Sequence, residues 1–182
     1  MTPSQSTRSI LAVAALVTAG SVSANESPGA HQHGHAELQL AIQGNQIDLM
    51  FTSPAYNLLG FEHRARTDKQ KALVAETTWW LGETALVDTV DTSCTVMNAV
   101  VHHQAGGDDR SDEHDHDHKE ETSHSDFEVT QTLTCSGLRS SEPFSTPLTT
   151  HFPEIEHLGI EWVWSEGQGS DRLDHGESNF RL

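Results

Sequence analysis

Apolar and polar residues alternate from Glu37 to Gln43 and again from Gln46 to Thr52, with Gly44-Asn45 between the two runs. Alternation at period two marks a half-buried strand, and a two-residue turn signal between two such runs predicts a β-hairpin. Its core face is Leu38, Leu40, Ile42, Ile47, Leu49 and Phe51. Ser53-Pro54 reads as the start of a short helix, with Ser53 as N-cap, Pro54 at the first helical position and Gly60 as the stop. Thr67-Asp68-Lys69-Gln70 has the spacing of a capping box. It predicts a second helix running to about Leu81, with Leu73, Thr77, Trp80 and Leu81 on the buried side and Gly82 ending it.

The alternation resumes further on. Cys94 to Val101 reads as a strand, and so does Phe127 to Cys135, with Phe127, Val129, Leu133 and Cys135 on one face. Pairing the two as neighbours places both cysteines at the ends remote from the connecting segment. That segment, His102 to Ser125, is low in complexity. Its Gly106-Gly107 step and run of acids suit no core, so it is expected to be disordered without metal. Pro147 to Phe152 predicts a helical turn and Gly159 to Trp164 a strand. Ser165 to Gly169 predicts a turn, and a last strand is placed near Asp171 to Leu173, with Arg181-Leu182 finishing on the sheet. Strands outnumber helices and are read as antiparallel. The expected fold is therefore α+β: a mainly antiparallel β-sheet with one or two short helices and a disordered His/Asp-rich loop.

Residues 1–24 read as a leader rather than as part of this fold. Arg8 supplies a positive charge, Ile10 to Ala19 an apolar stretch, and Val22-Ser23-Ala24 a small-residue cleavage site. The pattern is that of a secretory signal peptide cut after Ala24, too short to be a good transmembrane helix. Nothing later is apolar enough to span a bilayer. The expected mature product is one domain, 25–182, in the periplasm and without a membrane segment, carrying the insert at about 102–125. Export also bears on Cys94 and Cys135, the only cysteines. An oxidising compartment favours a disulfide, with a two-thiolate zinc site as the alternative.

Composition adds the chemistry. The chain has 13 histidines among 182 residues and a formal charge of -17, and the histidine content is roughly three times ordinary usage. Ten scattered Lys and Arg give no phosphate-binding surface, so nucleic acid is excluded as a partner. Neutral imidazole, by contrast, ligates metal at neutral pH without first losing a charge. Three groups stand out. His31, His33 and His35 recur at period two, which in an extended chain puts all three on one face within reach of a single Zn2+; the plain alternative is a ragged terminus that tolerates histidine. Glu62-His63 follows Gly60-Phe61, where a histidine beside a helix end is often a capping or packing residue. His102, His103, His114, His116, His118 and His124 lie in or beside an insert with eight acids from Asp108 to Glu121. Mixed carboxylate and imidazole donors suit borderline divalent metals such as Zn2+; the alternative is a solvated acidic linker. His151, His157 and His175 are scattered and are read as structural unless the fold brings them together.

Catalytic signals are thin: there is no HExxH, no GxSxG and no glycine-rich phosphate loop. A zinc hydrolase with Glu62 as base, and a copper or nickel buffer or detoxifier, remain alternatives. Ser27 stands at the third mature position, where a terminal copper/nickel claw requires histidine.

Several stretches together resemble a known family. They are His31-Gln32-His33-Gly34, the hairpin, Ser53-Pro54-Ala55-Tyr56-Asn57-Leu58-Leu59-Gly60-Phe61-Glu62-His63, the Asp/His-rich insert and His124-Ser125-Asp126-Phe127-Glu128. In this order they are similar to the ZrgA-type zinc-regulated periplasmic proteins, over nearly the whole mature chain. The resemblance implies a periplasmic zinc-binding protein that assists zinc uptake beside an ABC-type zinc importer. It implies metal-associated roles for His31, His33, Glu62, His63 and the insert histidines, and less firmly for His35.

Overall fold

The computed structural model describes residues 32–90, 94–105, 125–139 and 141–182. The leader, His31 and the histidines at 114, 116, 118 and 124 lie outside the described residues. The elements are β1 (His35–Gln43), β2 (Gln46–Pro54), α1 (Ala55–Leu59), α2 (Asp68–Glu83), β3 (Asp88–Thr89), β4 (Cys94–Gln104) and β5 (Asp126–Cys135). They continue as β6 (Phe144–Ser145), α3 (Leu148–His151), β7 (His157–Trp164), β8 (Gly167–Asp174) and β9 (Asn179–Phe180).

The hairpin forms as its alternation requires. Leu40 faces Leu49 and Ile42 faces Ile47 across β1 and β2, and all six expected core residues are buried. The hairpin sits at the centre of a six-stranded sheet of order β4-β5-β2-β1-β7-β8. Cys94 lies opposite Cys135 across β4 and β5, and the two are joined as a disulfide. This settles the choice against a two-thiolate metal site. In the chain-entropy model a loop of this length contributes about 4 kcal/mol. The sheet is antiparallel except at β1–β7, where the strands run parallel from His35↔His157 to Ile42↔Trp164. The expected mainly antiparallel sheet forms, and this one parallel pair within it was not anticipated. Parallel neighbours need a long crossover between them, and here it takes in everything from β2 to α3, so local pattern carried no sign of it.

One face of the sheet is covered by α2, α3 and a three-stranded sheet of order β3-β6-β9, which pattern reading did not anticipate because its strands are two residues each. Phe144, Phe152, Ile155, Phe180, Leu81 and Leu86 meet Phe51, Phe127, Leu158 and Ile160 in a single core. The opposite face is open and mixed in character, with Gln39, Asp48, Thr130 and Glu161 beside the exposed Met50 and Val163.

Several boundaries differ from expectation. Ser53 does not cap α1; Pro54 holds the cap position without a side-chain bond, and Ser53 is buried at the end of β2. The α1 amide of Ala55 instead donates to the Ser125 carbonyl at 2.6 Å, while Gly60 ends the helix in the left-handed region as expected. The capping box of α2 forms, but the helix continues past Gly82 to Glu83. Thr77 and Leu81 are buried, Leu73 is exposed, and Trp80 is half-buried, stacked on His151 at 3.9 Å. His102–Gln104 belong to β4 rather than to the insert, because each finds a partner on β5. β9 is built from Asn179–Phe180, ahead of the expected Arg181-Leu182.

Gln131 explains where α2 stops. It is buried on the core face of β5, where every neighbour in the alternation is apolar. Its Nε2 donates to the carbonyls of Leu81 at 2.7 Å and Thr84 at 2.8 Å, and its Oε1 accepts from the Leu86 amide at 3.1 Å. One amide thus satisfies the end of the helix and the chain leaving it. Replacing Gln131 by Leu strands two buried backbone groups and one part-buried one, and should destabilise the protein by about 2–3 kcal/mol. Equilibrium urea unfolding measures this; a loss below about 0.5 kcal/mol would show that the amide does not hold the helix end.

Candidate metal centre at the histidine turn

Gln32 to His35, the described part of the histidine run, are not extended. Gln32 to His35 close a turn, with the His35 amide donating to the Gln32 carbonyl at 3.0 Å and Gly34 at φ 83°. A positive φ at the third turn position suits glycine. A Cβ there would also lie 3.0 Å from the Glu156 carboxyl group, so that side chain would have to shift. The turn sends His33 and His35 to different neighbours, so the expected single face of three histidines does not form. Period two aligns side chains only while the backbone stays extended, and Gly34 breaks that condition.

Asn57 holds the turn in place. It is 1% exposed on α1. Its Oδ1 accepts from the Gly34 amide at 2.8 Å, and its Nδ2 donates to the His35 carbonyl at 2.8 Å and to Ser53 Oγ at 3.2 Å. The Gly34 carbonyl in turn accepts from the amides of Glu156 and His157. Sequence reading named Asn57 only within the stretch that carries the family resemblance and gave it no role of its own. The clue was its place in a short amphipathic helix, where an amide among Leu58, Leu59 and Ala55 needs buried partners.

His33 lies over Tyr56, ring centres 4.4 Å apart and nearly parallel, and its Nε2 is 2.8 Å from Glu62 Oε1. The histidine side chain is exposed and the glutamate more sheltered. The next residue, His63, stacks on Phe61 at 5.0 Å, and its Nδ1 donates to the Arg64 carbonyl at 3.0 Å. With the proton on Nδ1, Nε2 carries the free lone pair. The turn and the end of α1 thus bring one member of each expected group, His33 and Glu62, to one corner. Direct contact links His33 to Glu62. His35 turns instead to His157, with ring centres 5.1 Å apart. Among the described residues no three histidine, cysteine or carboxylate side chains are arranged to hold a metal ion.

His102 and His103 sit at the same end of the strands as the turn but three strands from β1, on the edge strand β4, and border a hollow of about 550 Å³ with Thr52, Ser53, Phe127 and Glu128. His102 is exposed on the open face, opposite Glu128. His103 points to the core side, stacks on Phe127 at 4.3 Å and has Nε2 3.1 Å from Ser125 Oγ. Burial pushes the His103 imidazole below its ordinary value, so its neutral, ligating form persists to lower pH. None of the described residues forms a helix long and apolar enough to cross a membrane.

Two predictions come from this geometry. Asn57→Leu leaves the Gly34 amide and the His35 carbonyl unpaired and should cost about 2–4 kcal/mol in thermal or urea unfolding. It should also broaden the ring resonances of His33 and His35; sharp, unshifted signals would show that the turn stands without the amide. The second concerns His103. In the unfolded chain it takes a proton near pH 6.5, whereas in the folded protein it does so only at lower pH. The unfolded state therefore binds more protons in that window, and stability falls as pH drops below about 6.5. His103→Gln should flatten this part of the stability–pH curve, read from melting temperatures between about pH 7 and 5.

The whole of this architecture falls within one family match. The family model described as ZrgA family zinc uptake protein matches residues 30–182. No curated protein matches the chain.

Proposed function

As a chain that belongs to the ZrgA family of zinc uptake proteins, this protein has a role in zinc uptake, and we propose that it fills that role as an exported periplasmic carrier. On this reading it captures Zn2+ on clustered imidazoles, performs no turnover, and hands the ion to an ABC-type zinc importer. The family membership carries the reading. The composition supports it: a net charge of -17 and 13 histidines suit a cation as cargo.

The capture step is assigned by donor chemistry. The acids between Asp108 and Glu121 raise the local cation concentration, and His114, His116, His118 and His124, with His102 and His103 at the base of the insert, supply exchangeable imidazoles. The folded corner supplies the more ordered donors, His33, Glu62 and His63, with His31 one residue before the turn. The contact between His33 Nε2 and Glu62 Oε1 is one that a metal can replace. Both groups are ligand types for Zn2+, at about 2.0–2.2 Å each. Because His33 and Glu62 are already in contact, binding there costs less ordering entropy than binding to the insert.

Isothermal titration of the metal-stripped chain with ZnSO4 tests the proposal. Zinc should bind at neutral pH and weaken as pH falls below about 6.5, where imidazole is protonated. The double variant His33→Ala/Glu62→Ala should lose the tightest phase by roughly tenfold or more. Absence of heat at neutral pH, with an unchanged native mass at excess zinc, would end the carrier reading. Zinc that stays on this protein when the importer's binding protein is added would end the hand-over step alone.

A further inference from the structure

The parallel pairing of β1 with β7 does more than complete the sheet. It sets His35 opposite His157, and the antiparallel β7–β8 pairing sets His157 opposite Asp174. His35 and two residues of the β7–β8 hairpin therefore form one row at the edge of the open face. We propose that His35 and His157 form a second divalent-cation site, separate from the His33–Glu62 corner, with Asp174 as its orienting carboxylate. The inference rests on the zinc-carrier reading only for the identity of the cation.

Geometry supports it in three ways. The ring centres of His35 and His157 are 5.1 Å apart and tilted by 52°. Two imidazoles sharing a tetrahedral Zn2+ at about 2.0–2.1 Å per nitrogen have their centres about 5 Å apart, so the rings already stand at the spacing of a shared ion. His157 Nδ1 is 2.8 Å from Asp174 Oδ1. A carboxylate that accepts a hydrogen bond from Nδ1–H fixes the tautomer and leaves Nε2 as the free donor, the usual outer partner of a metal-bound histidine. Both strand ends are also held from behind, since the amides of Glu156 and His157 bond to the Gly34 carbonyl and the His175 amide bonds to the Glu156 carbonyl.

The surroundings suit exchange rather than storage. His157 is about one-third exposed and Asp174 largely exposed, with the Arg172 Nε 3.9 Å from the same carboxylate oxygen. Two protein donors leave positions on a tetrahedral ion for water, or for a donor from a receiving protein. The His33–Glu62 contact lies on the other side of Gly34, so the turn divides the histidine run between two sites.

Histidine-ring 1H–15N NMR of the full chain, titrated with ZnSO4, tests this directly. Before zinc, His157 should show the tautomer protonated at Nδ1; on addition, the His157 Nε2 and one ring nitrogen of His35 should move together. His33→Ala/Glu62→Ala should leave that response intact, and His157→Gln should abolish it at His35. Asp174→Asn, which keeps the side-chain shape, should weaken zinc at this pair by about 10–100-fold while His33 and His63 respond as before. Response at His33 and His63 without response at His35 and His157 overturns the second site and leaves the carrier reading standing. An Asp174→Asn variant with unchanged affinity at the pair overturns the orienting role. Silence from every histidine overturns both readings.

Discussion

The geometry of the histidine corner depends on one buried amide. Asn57 accepts from Gly34, donates to His35 and Ser53, and so ties the start of β1 to the joint between β2 and α1. Without those bonds the turn would have two unpaired backbone groups against the core, each costing about 1–3 kcal/mol. With them, the turn has one conformation, and the direction of each histidine is fixed by backbone rather than by its own rotamer alone. His33 is delivered to Tyr56 and Glu62, and His35 to the first residue of β7. The amide is thus a positioning device for groups that it does not touch.

A second amide plays the corresponding part on the covered face. Gln131 closes the end of α2 from within the sheet. Gln131 is a polar group where the alternation of β5 calls for an apolar one, Asn57 is one among the buried apolar residues of α1, and both amides are hydrogen-bonded there. A buried hydrogen-bonded amide adds little net stability, but it discriminates strongly among packings, since any alternative leaves it unpaired. The helix layer and the histidine turn are each registered against the sheet in this way, while apolar side chains supply the bulk of the stabilisation.

Much of the fold was legible in local pattern. The hairpin, its six core residues, the capping box, the Cys94–Cys135 pairing and the strand pair between them all rest on short-range periodicity or on neighbours in one hairpin. What was not legible is what depends on distant partners. The parallel β1–β7 ladder joins residues more than a hundred positions apart, and the two-residue strands of the smaller sheet have no periodicity to read. The candidate site divides along the same line. Glu62, His63 and the His31–His35 run were visible as residue types at suggestive spacing. His157 and Asp174 were not, because only the ladder brings them to His35. The single-face reading of three histidines failed on Gly34, whose positive φ turns the chain at the residue where an extended reading needs it straight.

The division of the histidine run bears on how a carrier can release its cargo. A closed site of four protein donors is the arrangement of structural zinc, which folds around the ion and holds it. Here each folded cluster offers fewer donors. His33 meets one glutamate, with His63 adjacent in sequence, and His35 meets one histidine backed by a carboxylate. An ion held by two or three protein groups retains positions at which an incoming ligand can bind before an outgoing one leaves. Exchange then proceeds stepwise, without a bare ion and without unfolding any part of the sheet. The rigid turn keeps the donors from collapsing onto a single ion, so the backbone conformation of one glycine limits how tightly the corner can grip. On the carrier reading, that limit is what permits hand-over to a tighter site.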